Sequence, residues 1–238
     1  MINLRLSKQL SAQYRLAKPF PYIVIDDFLP EMVLNNVVDE FNKNEKWRYD
    51  RVKWTEKYQV NKFYWPHDIE STNNMPNDLP VINKLINYLQ SPMILKYLEE
   101  LTGIKNLIPD ELLMGGGLHK ITTGGKLAIH ADYKVHPIKK LYRRVNLLIY
   151  LNKDWKQEWG GNLELWDKEY YKLDVSVEPL FNRAVIFTIT SESLHGHPVP
   201  LNTPENVSRN SIALYYFTEV NPYKDDDEPL VEFYDLKN

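Results

Sequence analysis

Residues 127–137 read LAIHADYKVHP, and the alternation inside them decides how the chain is built. Successive side chains of a β-strand point to opposite faces, so His130 and Asp132 share one face while Leu127, Ile129 and Ala131 occupy the other. Random placement of the 6 His and 32 Asp+Glu among 238 residues gives roughly one His-x-acid pair. The pair by itself therefore assigns nothing, and its surroundings must.

From about residue 111 onward, short apolar runs are separated by turn residues: ELLMGGGLHKI, KLAIHA, VNLLIYLN, NLELW, RAVIFTI, SLHGHPV and SIALYYFTEV. Short strands at such spacing predict an antiparallel sandwich or barrel. VNLLIYLN and RAVIFTI are apolar on both faces, so a second layer must cover them. The first half supplies it. PYIVIDDFL (21–29) reads as a strand, and PEMVLNNVVDEFNKN as a helix with Pro30 at its start. Residues 80–102 carry apolar side chains three and four apart. They read as two helices broken at Ser91-Pro92 and ending at Thr102-Gly103. The expected fold is mainly β with α support. Residues 1–238 read as one domain, with 1–110 mostly helical support, 111–219 the β core and 220–238 an acidic, peripheral tail.

Hydrophobic residues make up 43% and charged residues 26%, ordinary for a globular chain. A net charge of −3 gives no reason to expect nucleic acid or an anionic membrane. Cysteine is absent, which excludes disulfides, thiolate zinc sites and cysteine nucleophiles and suits a reducing compartment. The N-terminal stretch lacks a signal-peptide core, and no run is long enough to span a bilayer, so the expected location is the cytoplasm. WRYDRVKWTEKYQVNKFYW (47–65) alternates aromatic and basic residues. Given the net charge it reads as a solvated edge with aromatic anchors, rather than a nucleic-acid stripe.

Two further segments share the geometry of His130-x-Asp132. In SLHGHPVP, His195 and His197 fall on one face of a short strand, and in SRNSIALYYF so do Arg209 and Ser211. Two imidazoles and one carboxylate make a facial triad with open coordination positions, diagnostic of non-haem Fe(II) oxygenases. The planar fork of a buried arginine suits a carboxylate, as a dicarboxylate cosubstrate would require.

In order along the chain, GGKLAIHAD, RRVNLLIYLNKDW, WGGNLELW, NRAVIFT, SLHGHPV and SRNSIALYYF resemble the Fe(II)/2-oxoglutarate-dependent dioxygenases of the prolyl 4-hydroxylase type. The resemblance covers roughly residues 111–219, with a weaker echo in KPFPYIVIDDFLP (18–30). YLNKDW followed by Gly160-Gly161 is especially similar to the hypoxia-factor prolyl hydroxylases. It implies a double-stranded β-helix (jelly-roll) core with the N-terminal helices packed on one sheet. It also implies Fe(II) on His130, Asp132 and His195, and 2-oxoglutarate held through its far carboxylate by Arg209 with Ser211 and Tyr150. O2 would be the co-substrate, and the resemblance allows ascorbate as an accessory reductant. Gly160-Gly161 would form a turn where side chains cannot fit. The tyrosine that the family carries ahead of His-x-Asp has no obvious counterpart; His119 and Lys120 stand near its place.

Related halogenases have a small residue where Asp132 stands, so the resemblance implies hydroxylation of an unactivated C–H with release of succinate and CO2. The substrate it favours is a prolyl residue in a peptide or protein, the alternative being a free amino acid or other small molecule. Strand periodicity cannot separate His195 from His197. The complete triad and the family's ligand position ahead of a Pro-Val pair favour His195, leaving His197 to back the ligands or face the substrate. Tyr133 and Arg144, in the basic loop 133–146, are the other expected substrate contacts, and that loop reads as a lid. His119, His136 and His67 read as non-ligands. Two rivals remain: a zinc hydrolase, which gives Arg209 and Ser211 no purpose, and a non-catalytic β-sandwich binding module, which has no reason to keep all three ligands. The sequence leaves the oligomeric state open.

Overall fold

In the computed structural model, which describes residues 6–49, 58–65, 78–169, 171–223 and 232–234, the first half obeys its local helix signals. After α1 (Leu6–Leu16) and β1 (Tyr22–Ile25), α2 (Glu31–Lys43) starts behind Pro30, whose φ of −55° is already suited to a helix. β2 (Arg48–Tyr49) and β3 (Gln59–Trp65) follow. Both α3 (Pro80–Leu89) and α4 (Pro92–Thr102) open on a proline, and α4 stops at Gly103, left-handed at φ 79°. The remaining strands are β4 (Ile108–Pro109), β5 (Gly117–Ala131), β6 (Tyr142–Tyr150), β7 (Leu163–Asp167), β8 (Lys172–Val177), β9 (Ala184–Thr188), β10 (Leu194–His197), β11 (Arg209–Thr218) and β12 (Glu232–Phe233).

The strands pair antiparallel in the order β1-β9-β6-β11-β5-β10-β7-β8, with β3 and β12 also on β5. β5 joins the two layers. Its first half pairs with β11 from Gly117 to Ile121, and its second half pairs with β10 from Leu127 to His130. Gly124 and Gly125 lie between. Gly124 has φ +72°, and a Cβ on Gly125 would sit 2.4 Å from Ile121 Cγ2. The two glycines bend one long strand from one sheet into the other. The sequence had suggested two separate strands there.

The run Val145–Tyr150 is largely apolar on both sides because each side meets its own core. Val145, Leu147 and Ile149 pack with Ile212, Leu214 and Tyr216 against Leu34, Val37, Ile82, Ile86 and Leu98 of the helices. Tyr150 packs inside the sandwich with Leu163, Leu165, Val185 and Phe187, and Leu148 is half-buried against them. The result is a nearly closed antiparallel β-sandwich backed on one sheet by helices, as a double-stranded β-helix is. Three sequence expectations change. PYIVIDDFL shortens to a four-residue strand, because Asp27 turns at φ 51°. α1 and β8 were not foreseen. α1 buries only a narrow stripe, of which Tyr14 is the buried aromatic, and β8 is mostly exposed. Among the described residues, no helix is long and apolar enough to cross a membrane.

Candidate active site

His130 is the penultimate residue of β5, Asp132 lies just past its end, and β10 places His195 directly opposite His130. All three side chains are buried, and one ligand atom from each lies within 4.8 Å of the others. Asp132 Oδ1 is 3.5 Å from His130 Nε2, and Asp132 Oδ2 is 3.5 Å from His195 Nε2. Each imidazole is oriented from behind. His130 Nδ1–H donates to the Ala128 carbonyl and His195 Nδ1–H to the Ser193 carbonyl, both at 2.9 Å. This arrangement turns both Nε2 atoms toward the carboxylate and leaves them to a metal.

Asp132 is held just as firmly. Asn146 Nδ2 donates to its Oδ2 at 2.7 Å, and Arg143 pairs with the same oxygen at 2.9 Å. Asn146 Oδ1 in turn accepts from Arg143 Nε at 2.9 Å. The guanidinium lies over the Tyr215 ring at 3.4 Å and the Tyr133 ring at 4.6 Å. Burial alone would push the Asp132 carboxyl up, yet Arg143, then His195 and His130, hold it well below the usual carboxylate range. Arg143 is the cause that persists at neutral pH, because burial pulls His195 down to about 4.

The triad lines a cavity of about 290 Å³ whose other end is cationic. There Arg209 is 4% exposed; its Nε donates to the Gly161 carbonyl at 2.7 Å and its NH2 group to the Tyr150 hydroxyl at 3.2 Å. No carboxylate of the described residues lies within 4 Å of it. Gly161 is the close approach that permits this: at φ +74°, a Cβ there would sit 2.5 Å from Leu201 and 3.1 Å from Arg209 Cδ. Gly160 has open space around it and serves only the turn, at φ +70°. Ser211, between His119 and Tyr150 in register, lines the cavity, as does His197.

The model of the 2OG-Fe(II) oxygenase superfamily matches residues 116–217, the stretch that carries all of these groups. The chain carries a 2OG-Fe(II) oxygenase domain. Solved structures agree with it in fold. A Trichoplax adhaerens prolyl hydroxylase, solved with a hypoxia-inducible-factor peptide, is 21% identical over 91% of each chain, with a TM-score of 0.63. A Pseudomonas putida prolyl-4-hydroxylase is 15% identical, covering 90% of this chain and 99% of its own, at 0.57. HygX from Streptomyces hygroscopicus, solved with nickel and 2-oxoglutarate, is 14% identical over 84% of this chain and 85% of its own, at 0.55. The oxygenase uses Fe(II) and 2-oxoglutarate, and this cavity fits both: two oriented Nε2 atoms with an ionised carboxylate at one end, and at the other a buried cation with no carboxylate beside it among the described residues.

Most expected residues of the oxygenase come together, but Arg144 does not. Strict alternation from Asn146 would aim Arg144 inward. A bulge opposite Tyr216–Phe217 shifts the register, so that Arg143 joins Asn146 on the inner face. Arg144 instead lines a separate cavity with residues 103–108 and 218–220, where its NH1 group donates to Thr218 Oγ1 at 3.4 Å. Tyr133 lines the oxygenase cavity, its hydroxyl donating to the Met114 carbonyl. The rest of the loop 133–146 is an anchored hairpin: His136 Nε2–H donates to Asp110, while its Nδ1 accepts from the Ile138 and Lys139 amides. His136 is thus tied to Asp110 and into the hairpin and does not line the cavity. Of the two candidates at the missing tyrosine's place, His119 faces the cavity and Lys120 lies over Trp47 outside it.

Two walls were missed. β3 brings Gln59, Lys62 and Tyr64 into the cavity, so the described part of 47–65 is not a solvated edge; Lys62 is buried. β12 sets Phe233 opposite His130, with ring centroids 5.5 Å apart and Tyr58 stacked on its far side. Phe233 of the tail is therefore part of the site rather than peripheral. Residues 50–57, His67 and the acidic run 225–228 lie outside the described residues.

Proposed function

We propose that the chain hydroxylates an unactivated C–H of a prolyl residue in a peptide or protein, consuming 2-oxoglutarate and O2 and releasing succinate and CO2. His130, Asp132 and His195 hold Fe(II). Arg209, backed by Tyr150 and flanked by Ser211, holds the far carboxylate of 2-oxoglutarate. The observation that carries this is the pairing, in one cavity, of a triad whose imidazoles are oriented by backbone carbonyls with a buried arginine that has no carboxylate within 4 Å among the described residues. A zinc hydrolase needs the first feature and not the second.

Iron bound at the triad supplies the O2 activation that couples oxidation of the keto acid to hydroxylation of the substrate. The chain's own residues do the rest. Arg143 and Asn146 keep Asp132 ionised and fixed in direction. Arg209 sets the depth and orientation of the keto acid. Phe233, Tyr133, Tyr215 and Leu148 line the cavity and keep water from the reacting centre. Asp132 would supply the third protein ligand to the metal, a donor set that would support hydroxylation. The prolyl assignment is supported by the fold, shared with two prolyl hydroxylases of which one holds a peptide. Incubation of the Fe(II)-loaded chain with 2-oxoglutarate and a library of proline-containing peptides, read by mass spectrometry, tests it. Gain of one oxygen on a prolyl residue with matching succinate supports the proposal; succinate formed only with free amino acids or other small molecules contradicts the peptide assignment.

A further inference from the structure

One buried side chain of the cavity is unexplained by the hydrogen bonds around it. His197 is 3% exposed, yet neither ring nitrogen has a hydrogen-bond partner among the described residues. The other four described histidines each have one: His119 with the Gly115 carbonyl, His130 with Ala128, His136 with Asp110 and His195 with Ser193. Buried polar atoms are nearly always paired, because an unmade hydrogen bond forfeits the one to water. His197 differs from the other buried polar groups that lack a partner in that both of its ring nitrogens are idle and it lines the cavity of the triad, where a ligand can supply the partner.

Which ligand follows from the neighbours. His197 is two residues beyond His195 on β10, opposite Leu127, and it lines the cavity with Arg209, Ser211, His119 and Lys62. The charges that bear on it most are those of Arg209 and then Lys62. An imidazole N–H beside two cationic side chains is complementary to an anionic oxygen. Arg209 has already given its Nε to Gly161 and one NH2 proton to Tyr150, which leaves room for a further donor on the same anion.

We propose that His197 donates a hydrogen bond to the far carboxylate of 2-oxoglutarate and is a second anchor for the cosubstrate, rather than a contact for the hydroxylated substrate. The inference rests on the reading of Arg209 as the first anchor. Glutarate, a dicarboxylate without the keto group, probes the site in the metal-free protein, and calorimetry reads its affinity. His197→Leu should weaken glutarate binding about 10- to 100-fold, the range for a hydrogen bond to a charged group. It should also raise the melting temperature of the ligand-free protein, because two idle polar atoms leave the interior. His197→Asn, which keeps a donor, should recover part of the affinity. In the iron-loaded enzyme the KM for 2-oxoglutarate should rise in the same proportion, with kcat nearly unchanged. Equal glutarate affinity in wild type and His197→Leu overturns the inference, as does a lower melting temperature of that variant, which would mean a structural contact. If glutarate fails to bind wild type, or binds Arg209→Leu as well as wild type, the Arg209 reading itself falls.

Discussion

Asn146 gives the sharpest test of how the metal site is prepared. It is buried, its Nδ2 donates to Asp132 Oδ2 at 2.7 Å, and its Oδ1 accepts from Arg143 Nε at 2.9 Å. Asn146→Ala removes both bonds and leaves two charged groups short of a partner. Each hydrogen bond to a charged group contributes about 1.5–3 kcal/mol. The two are not additive here, because Arg143 still pairs with Asp132 at 2.9 Å, so the expected loss of folding stability is about 3 kcal/mol. For a chain of this length that lowers the melting temperature by about 6–12 °C. Metal affinity, read by competition with a chelator, should fall about 10- to 100-fold, the effect of removing a group that orients a ligand. Arg144→Met, one bulge away and aimed into the other cavity, should leave metal affinity within about threefold of wild type. The reasoning is refuted if Asn146→Ala binds metal as wild type does, or if Arg144→Met weakens binding as much.

Three further outcomes follow from the same geometry. Gly196→Ala puts a Cβ 2.6 Å from the Ala128 carbonyl oxygen and 2.8 Å from that of Leu127, both backbone; it should separate β10 from β5, cost about 1–3 kcal/mol and abolish metal binding in a titration. Gly161→Ala meets Leu201 and Arg209 Cδ, so the KM for 2-oxoglutarate should rise at least tenfold while chelator competition shows metal affinity little changed. Burial pulls His195 from 6.5 to about 4, so the unfolded metal-free chain binds more protons than the folded one between those values. Stability should therefore be full above pH 6.5 and fall toward pH 4, by about 3 kcal/mol for this histidine alone. His119 and His197, also lowered by burial, act in the same direction. Denaturant melts from pH 7 to 4 measure the slope, and His195→Gln should reduce it.

The parts of the site legible in the sequence were those governed by strict alternation. Arg209 and Ser211 share a face on a regular stretch of β11, and His130 with Asp132 and His195 with His197 also come to line the one cavity, although Asp132 lies just past β5 and the β10–β5 register shifts between His195 and His197. Arg143 was illegible for the opposite reason: a bulge reverses the parity of β6 between Asn146 and Arg143, and no local residue type announces it. The walls contributed by β3 and β12 come from segments far from the core in sequence, and only pairing with β5 brings Lys62 to the cavity and Phe233 to His130. The helices were readable where proline and glycine punctuate them, and α1 was not, because it has neither a capping signal nor a broad apolar face.

The central claim is that one cavity holds Fe(II) on the triad and 2-oxoglutarate between that metal and Arg209. Anaerobic titration of the Fe(II)-loaded chain with 2-oxoglutarate tests it most directly, by the visible charge-transfer absorption that a keto acid gives when it chelates the metal. The account predicts that this absorption appears and saturates, that it is absent in Asp132→Ala, and that Arg209→Leu requires far more 2-oxoglutarate to reach it. Metal binding with no such absorption in the wild-type chain would contradict the account.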